Sequence, residues 1–242
     1  MRGEPDPGPM QDGVSSTRVP SLDALTALLA ARHSCRAFRP QSLPRATIQS
    51  IVQTAGRAPS WCNTQPWQLE ITQGIGTERF RERMLREAEN GEPRPDYPFP
   101  LSYTGENQQR RRECGVQLYE ALGIDRADME GRRAQHLRNF ELFGAPHVAV
   151  VTSSRELGVY GAIDCGAFVA AFLLAAAAMG VATIPQAALA AYPDAIRQHF
   201  GLDNDRLVVC AISFGLEDVG HLANSFRTNR AMIDGVVTWY EG

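Results

Sequence analysis

Eight consecutive residues near the C-terminal end of the chain, 207–214, form an almost unbroken apolar run, Leu-Val-Val-Cys-Ala-Ile-Ser-Phe. A strand of this composition has no polar face to turn toward water, so other parts of the protein must cover both of its faces. The run therefore predicts a strand inside a sheet that has a layer on each side. Residues 161–179, an alanine-rich stretch followed by Gly180, predict a buried helix that supplies part of one layer.

The rest of the chain mixes strand and helix patterns without a repeating order. Residues 67–72 and 147–152 are predicted to be strands. Helical spacing, caps and prolines predict helices from Ser21 to about residue 32 and over residues 44–56, 77–89, 110–119, 128–140 and 193–200. Residues 90–105 contain several prolines and predict a long ordered loop. This irregular order favours an α+β layered fold over a repeating βαβ array.

Composition argues against several classes of protein. The 242 residues carry a net charge of −3, so charge alone would hold neither nucleic acid nor an anionic membrane. The five cysteines are scattered, without a C-x-x-C pair or neighbouring histidines, which predicts reduced thiols and no metal site. The apolar residues 167–179 fall short of the roughly 20 residues that a membrane span needs. We therefore expect a cytoplasmic protein with no membrane or nucleic-acid partner.

The N-terminal residues differ in composition from the rest of the chain. Residues 1–18 are rich in Pro, Gly, Asp and Ser and lack the basic start and apolar run of a signal peptide. We expect a disordered leader there, followed by one domain over residues 19–242.

Side chains suited to binding a phosphate lie at the end of the first predicted helix. Arg32, Ser34 and Arg36 alternate along the chain, so an extended backbone would point them to one side. Guanidinium groups bind phosphate through paired, charge-assisted hydrogen bonds. The alternative is that these basic residues complement the dipole of the helix C-terminus.

Two further polar segments have the same ambiguity. Residues 59–67 include Ser60, Asn63 and Gln65, whose side chains could bind the edge of a flat heterocycle or cap their own loop. Arg227 and Arg230 could bind an anion or remain solvated at the surface. The two common nucleotide-binding fingerprints, G-x-G-x-x-G and G-x-x-x-x-G-K-[ST], are absent from the sequence.

In combination, these segments resemble the FMN-dependent nitroreductase family. The resemblance covers about residues 20–240 and rests on segments that occur in the family's order: 32–38, 58–60, 63–67, 145–146, 164–180, 184–187 and 207–215. It implies an α+β fold with a central, mainly antiparallel sheet sandwiched by helices. It also implies a homodimer with two FMN sites at the interface.

The resemblance implies a function centred on the flavin. NADPH or NADH would reduce FMN, and a small aromatic acceptor such as a nitroaromatic or quinone would then reoxidise it by a ping-pong mechanism. No side chain is expected to act as a catalytic acid, base or nucleophile. Other chemistry in the same fold, namely reductive dehalogenation, enone reduction or flavin breakdown, remains an alternative. So does a flavin-binding protein without turnover.

The resemblance also assigns roles to individual residues. Arg32, Ser34 and Arg230 would hold the phosphate, together with Arg227 or His33, while Arg36 would reach the ribityl chain or the pyrimidine side of the ring. The other subunit would contribute Ser60, Asn63 and Gln65. Backbone groups would meet the N5 edge of the ring at Pro185, Gln186, Ala187 and Ala188, although many members have an acidic residue and glycine after this proline.

Residues 90–112 have no clear counterpart in the family pattern and predict a lid. Tyr97, Phe99 and Tyr103 would stack on the acceptor. One arginine of the run at residues 110–112 would favour acceptors with a carboxylate or a second nitro group. The alternative is that the arginines are exposed and the aromatic side chains only pin the loop.

Overall fold

The computed structural model describes residues 21–241, whose strands form one four-stranded antiparallel sheet. The strands are β1 (Gln68–Ile71), β2 (His147–Ser154), β3 (Ala182–Gln186) and β4 (Arg206–Gly215), in the spatial order β1-β2-β4-β3. The strand predicted from the apolar run is β4, and it lies between β2 and β3. The predicted leader, residues 1–18, lies outside the described residues.

Seven α-helices surround the sheet in the described part of the chain, and local sequence explains several of their ends. They are α1 (Leu22–Ala31), α2 (Arg45–Ala55), α3 (Ile75–Asn90), α4 (Gly105–Ala121), α5 (Met129–Leu137), α6 (Gly158–Ala178) and α7 (Pro193–Phe200). Ser21 caps α1 by accepting a hydrogen bond from the Ala24 amide at 3.2 Å. Asp128 caps α5 through the Gly131 amide at 2.8 Å.

Each face of the sheet packs against its own hydrophobic core. On β2, Val148 and Val150 contact one core while Ala149 and Val151 contact the other. The first core includes Phe80 and Met84 of α3 and Ile196 of α7; the second includes Ile51 of α2 and Phe168 and Phe172 of α6. A fully buried side chain of this size contributes about 1.5–3 kcal/mol. The predicted α+β fold with helices on both sides of the sheet is confirmed.

The start of one helix and the presence of one strand differ most from the sequence prediction. Helix α4 begins at Gly105 rather than Arg110, and none of its residues is buried, so its first turn carries no apolar periodicity to reveal it. An ion pair between Glu106 and Arg110, four residues apart, stabilises this turn. Residues 184–186, for which the sequence predicted no strand, belong to β3. Pro185 weakens the strand pattern, but an edge position tolerates a residue without an amide hydrogen.

The length argument against a membrane-spanning helix was also wrong. Helix α6 has 21 residues, and with the short turn before it the helical segment Arg155–Ala178 is long and apolar enough to span a membrane by length and composition. Asp164 and the nearby glycines interrupt the apolar sequence without interrupting the helix. One face of α6 packs on the sheet through Cys165, Phe168 and Phe172. The opposite face is also apolar and exposes Ile163.

His147 is a fully buried, hydrogen-bonded residue at the start of β2. Its Nε2 accepts the Leu43 amide at 2.8 Å, and its Nδ1 lies 3.1 Å from the carbonyl oxygen of Thr72, to which it donates. Only a neutral imidazole can accept at one nitrogen and donate at the other. Burial lowers the pKa of His147 further, and its hydrogen bond to Thr72 raises it to a smaller extent.

We expect His147 to make the protein less stable in mild acid. Because the folded pKa is lowered, the unfolded chain binds the extra proton first, as pH falls below about 6.5. The contribution of His147 to the free energy of unfolding is therefore complete above that pH. Below it, the free energy of unfolding decreases by at most about 1.4 kcal/mol per pH unit. The free energy of unfolding, measured by urea denaturation between pH 7.5 and 5.5, should therefore decline more steeply with falling pH for the wild type than for His147→Gln. The exposed His136→Gln serves as the control, and equal slopes for wild type and His147→Gln would refute the assignment.

Candidate functional site

The backbone after α1 is extended, as the alternation of polar residues predicts. Arg32 follows the helix with φ −67° and ψ 127°, and Ser34 forms a parallel bridge with Thr183 of β3. The Cys35 amide donates to the carbonyl of Thr183 at 3.0 Å. Cys35 points into the core, whereas Arg32, Ser34 and Arg36 line a common cavity.

This cavity has a volume of about 260 Å³ and a strongly positive lining. It is formed by the end of α1, the segment that follows it, one residue of α4 and the C-terminal segment: Leu29, Ala30, Arg32, His33, Ser34, Arg36, Cys114, Phe226, Arg227, Thr228 and Arg230. Four of these residues are arginines and none is acidic. The structure therefore brings the first and third predicted clusters together, with the geometry of an anion site.

Arg32 and Ser34 have free hydrogen-bonding capacity in this cavity. Within residues 21–241, neither side chain has a hydrogen-bond or ion-pair partner, although both are half-buried. Burial lowers the pKa of Arg32, and the positive charge of Arg230 lowers it further. Two guanidinium groups that repel each other in a cavity without an acidic lining residue form an unfavourable arrangement that a bound anion would relieve. The residues present thus fit a phosphate.

The other cationic side chains are held by the protein itself. Arg36 donates to the carbonyl of Ser34 at 3.1 Å and stacks on the ring of Phe226, with its guanidinium carbon 5.4 Å from the ring centroid. Burial lowers the pKa of Arg36. Arg227 donates to the backbone carbonyl of Asn224, and Arg230 to Thr228. Each guanidinium has further donors that these contacts leave available.

His33 contacts an acid rather than standing free in the cavity. Its Nε2 lies 3.0 Å from Oε1 of Glu217, and its Nδ1 lies 3.3 Å from the carbonyl oxygen of Ala31. Both ring nitrogens are therefore engaged within the chain. A direct contact from this ring to a phosphate would require it to give up one of these partners.

Asn224 is a structural residue of the site that the sequence analysis missed. Its side chain is buried, accepts the Arg36 amide at 2.7 Å and donates to the carbonyls of Ala37 and Asp218, both at 3.0 Å. It thereby joins the segment after α1 to the segment that carries Arg227 and Arg230. An asparagine beside arginines gives no sequence signal for this role, because its partners are backbone groups distant in the chain.

The predicted Ser60, Asn63 and Gln65 cluster forms an exposed loop before β1. Ser60 accepts the Gln65 amide at 2.9 Å, and the Gln65 side chain donates to the carbonyl and Oδ1 of Asn63 at 3.3 and 3.2 Å. Cys62, Asn63 and Gln65 have left-handed backbones, with φ of 51°, 57° and 47°. This conformation is costly for residues other than glycine and fixes the loop's shape.

This loop and the arginine cavity lie at opposite edges of the sheet. The loop leads into β1, whereas Ser34 pairs beyond β3, the strand at the other edge. Four strand spacings, about 19 Å, separate β1 from the segment that carries Ser34. Within one chain the structure does not bring the second cluster together with the first and third.

The end of β3 lies on the same edge as the cavity. Gln186 is the last strand residue, and its side chain is buried, whereas Ala187 is exposed. Gln186 is three residues beyond Thr183, the partner of Ser34, which places it about 10 Å along the strand, and Ala187 and Ala188 follow where the chain turns into the 3-10 helix Ala188–Ala191. In residues 21–241, no loop or turn hydrogen bond uses the amide of Ala187 or Ala188. These amides remain available as donors.

A profile of the Nitroreductase family matches residues 29–216. The chain belongs to this family. It is 34% identical over 216 residues to nitroreductase NfnB of Mycolicibacterium smegmatis, covering 88% of this chain and 92% of that protein. It is 32% identical over 226 residues to a 4-nitrobenzoate reductase of Nocardioides sp., covering 91% and 92% of the two chains.

Solved structures support the same assignment. The crystal structure of the FMN-dependent nitroreductase NfnB from Mycobacterium smegmatis in complex with NADPH superposes with a TM-score of 0.87 at 32% identity. The match covers 90% of this chain and 99% of that one. The family predicted from the sequence is therefore confirmed. The matched profile includes the 32–36 cluster, the 60–65 loop and the end of β3, while Arg227 and Arg230 lie beyond it.

Proposed function

We propose that this protein is an FMN-dependent oxidoreductase that takes electrons from NADPH and reduces nitroaromatic acceptors. The observation that carries the proposal is the cavity with four arginines, in which Arg32 and Ser34 lack partners among the described residues. Family membership supports FMN as the ligand, and the NADPH complex of NfnB supports NADPH as the donor. Relatives named nitroreductase and 4-nitrobenzoate reductase support the acceptor class.

The residues of this chain would bind and orient the cofactor, and FMN when bound supplies the redox chemistry. Arg32, Ser34 and Arg230 would hold the phosphate through charged hydrogen bonds. Arg36 would place a fixed positive charge toward the ribityl chain or the pyrimidine side of the ring, where it stabilises negative charge. The amides of Ala187 and Ala188 would donate to the far edge of the ring.

We propose a homodimer formed through the outward face of α6. Val159, Tyr160 and Ile163 on this face are each more than half exposed, an unusual state for a row of large apolar side chains. Trp239 and Tyr240 of the C-terminal segment are also exposed, at 73% and 92%. A second copy of the chain would cover these surfaces, which removes the need for lipid around α6 and suits a cytoplasmic protein.

Dimerisation through α6 would also explain the separation of the polar clusters. The 60–65 loop is attached to this helix: the Trp61 amide donates to Oδ2 of Asp164 at 3.1 Å, and the Trp61 ring lies 4.4 Å from that of Tyr160. If α6 forms the proposed interface, a loop attached to this helix would be positioned to reach the cavity of the partner. Ser60, Asn63 and Gln65 would then contact FMN across the interface.

The segment between α3 and α4 has the properties of a lid. Its first part is anchored, because Asp96 pairs with Arg197 at 2.7 Å and accepts the Val208 amide at 2.8 Å. After this anchor, residues 98–104 are exposed, and Leu101 is fully solvated. The following helix, α4, has no buried residue. We propose that this segment covers the acceptor when it binds.

Arg111 is the arginine of the 110–112 run that we expect to select acceptors. Its guanidinium carbon lies 5.1 Å from the ring centroid of Tyr103, whereas Arg110 is paired with Glu106. Arg111→Ala should lower kcat/KM for 4-nitrobenzoate relative to nitrobenzene by up to about fivefold, because an exposed charge pair contributes up to about 1 kcal/mol. Arg110→Ala and Arg112→Ala are the matched controls. An unchanged ratio in Arg111→Ala would show that the lid controls access without reading the carboxylate.

The experiment that tests the proposed function follows both half-reactions in one sample. Anaerobic addition of NADPH should bleach the flavin absorbance, and subsequent 4-nitrobenzoate should restore it with loss of the nitro group. Bleaching without reoxidation by any nitroaromatic would refute the acceptor class. Failure to bleach with NADPH or NADH would identify a flavin-binding protein without this activity.

A further inference from the structure

We propose that Gln186 is a positioning residue that fixes the backbone amides of Ala187 and Ala188 for contact with the flavin ring. The inference rests on the proposed function, because it concerns how this chain orients that cofactor. Gln186 does not contact the ring in this proposal. It acts through the main chain that follows it.

The side chain of Gln186 joins three parts of the fold. It is 3% exposed and accepts the hydroxyl of Ser213, which is fully buried on β4, at 2.5 Å. Its amide nitrogen donates to the carbonyl oxygen of Asn139 at 2.8 Å. A carbonyl can only accept, so the orientation of the side-chain amide is determined: Nε2 faces Asn139 and Oε1 faces Ser213.

The strand register explains the reach to Ser213. Gln186 lies opposite Ala211, and Ser213 is two residues farther along β4, so both side chains are on the same face of the sheet. This is the face that packs against α3 and α7. The contact is therefore a diagonal cross-strand pair at the last residue of β3, where the chain leaves the sheet.

Asn139 lies in the segment that returns the chain to the sheet from α5. Three residues after it, Leu142 and then Phe143 adopt left-handed conformations with φ of 58° and 53°, followed by Gly144 at 77°. Three successive left-handed residues give this connection one specific shape. The Gln186 hydrogen bond attaches the end of β3 to this rigid connection on one side and to β4 on the other.

Stability alone does not require a glutamine here. The surrounding core is apolar, and replacing both partners of a buried hydrogen bond, such as Gln186 and Ser213, with apolar side chains of similar volume can be nearly neutral for stability. The two hydrogen bonds of Gln186 fix the orientation of the end of β3, because both can form only when this end has one particular geometry. The two amides that follow have no loop or turn acceptor in residues 21–241, so this orientation is available to a ligand.

The test compares Gln186→Met, which keeps the approximate volume and removes both hydrogen bonds, with the wild-type holoenzyme. We expect FMN affinity to change less than about threefold, because the phosphate contacts are untouched. We expect kcat to fall about tenfold or more with KM for NADPH within about twofold, since loss of a positioned donor to a reacting group affects the chemical step. The visible absorption maxima of bound FMN should also shift.

Ser213→Ala provides a second variant if Gln186→Met does not fold. It removes only one hydrogen bond, so the decrease in kcat and the shift of the absorption maxima should both be smaller. Unchanged kcat and absorption maxima in the folded variants would overturn the inference. Parallel loss of FMN affinity and stability without a kcat effect in the reconstituted enzyme would also overturn it, in favour of a packing role. Wild-type protein without FMN would instead refute the proposed function.

Discussion

Replacing Arg32 with alanine is expected to weaken FMN binding about ten- to a hundredfold. A charged hydrogen bond contributes about 1.5–3 kcal/mol, and each 1.4 kcal/mol corresponds to about a tenfold change in affinity. Arg32 has no other partner among the described residues, so its donors are free for the phosphate. The dissociation constant is measured by titrating the apoprotein with FMN and monitoring the quenching of flavin fluorescence. Arg230→Ala should give a loss in the same range.

Two further variants identify the cause of the Arg32 effect. Arg32→Lys keeps the charge but loses the two-pronged guanidinium, so its affinity should lie between those of alanine and wild type. Arg79→Ala removes an exposed arginine on α3, in the layer across the sheet from α6, and should leave binding unchanged. Wild-type affinity in both Arg32→Ala and Arg230→Ala would place the phosphate outside this cavity.

A charge on the outward face of α6 should separate the subunits and release FMN. Ile163→Arg places a guanidinium at a site that is 58% exposed in the single chain, so the fold itself should tolerate the change. In the proposed dimer this charge would be buried without a partner, which costs several kcal/mol. We expect the dissociation constant of the dimer to increase at least about a hundredfold. Light scattering after size-exclusion chromatography measures the mass of the protein. The flavin absorbance of the same peak measures its FMN content.

Ile75→Arg is the matched control for the dimer prediction. Ile75 is 68% exposed at the start of α3, on the other side of the sheet, so the same substitution there should change neither mass nor flavin content. An Ile163→Arg variant that remains dimeric and fully loaded with FMN would rule out α6 as the interface. A monomer that keeps its FMN would show that one chain completes the site.

Much of the fold follows from local patterns that the structure preserves. The apolar run at residues 207–214 predicts a central strand because such a segment needs cover on both faces, and β4 has it. Ser21, Asp128 and Pro193 mark helix starts through short-range capping and backbone constraints, which do not depend on distant residues. The family prediction succeeded because its motifs occur in order over nearly the whole chain.

The features that the sequence did not predict depend on contacts between distant parts of the chain. Helix α4 has no buried face, so no periodicity marks its start, and β3 is a strand only because β4 pairs with it despite Pro185. The alternation of Arg32, Ser34 and Arg36 predicted a common direction, and the cavity confirms it. Asn224 escaped prediction because its partners are backbone groups that only folding brings near.

The cofactor released on denaturing the purified protein tests the central claim most directly. We propose that the four-arginine cavity holds a single phosphate, and the sequence has no dinucleotide fingerprint, so chromatography should recover FMN at about one molecule per chain. Recovery of FAD, or of no flavin from protein that also fails to bind added FMN, would contradict the account.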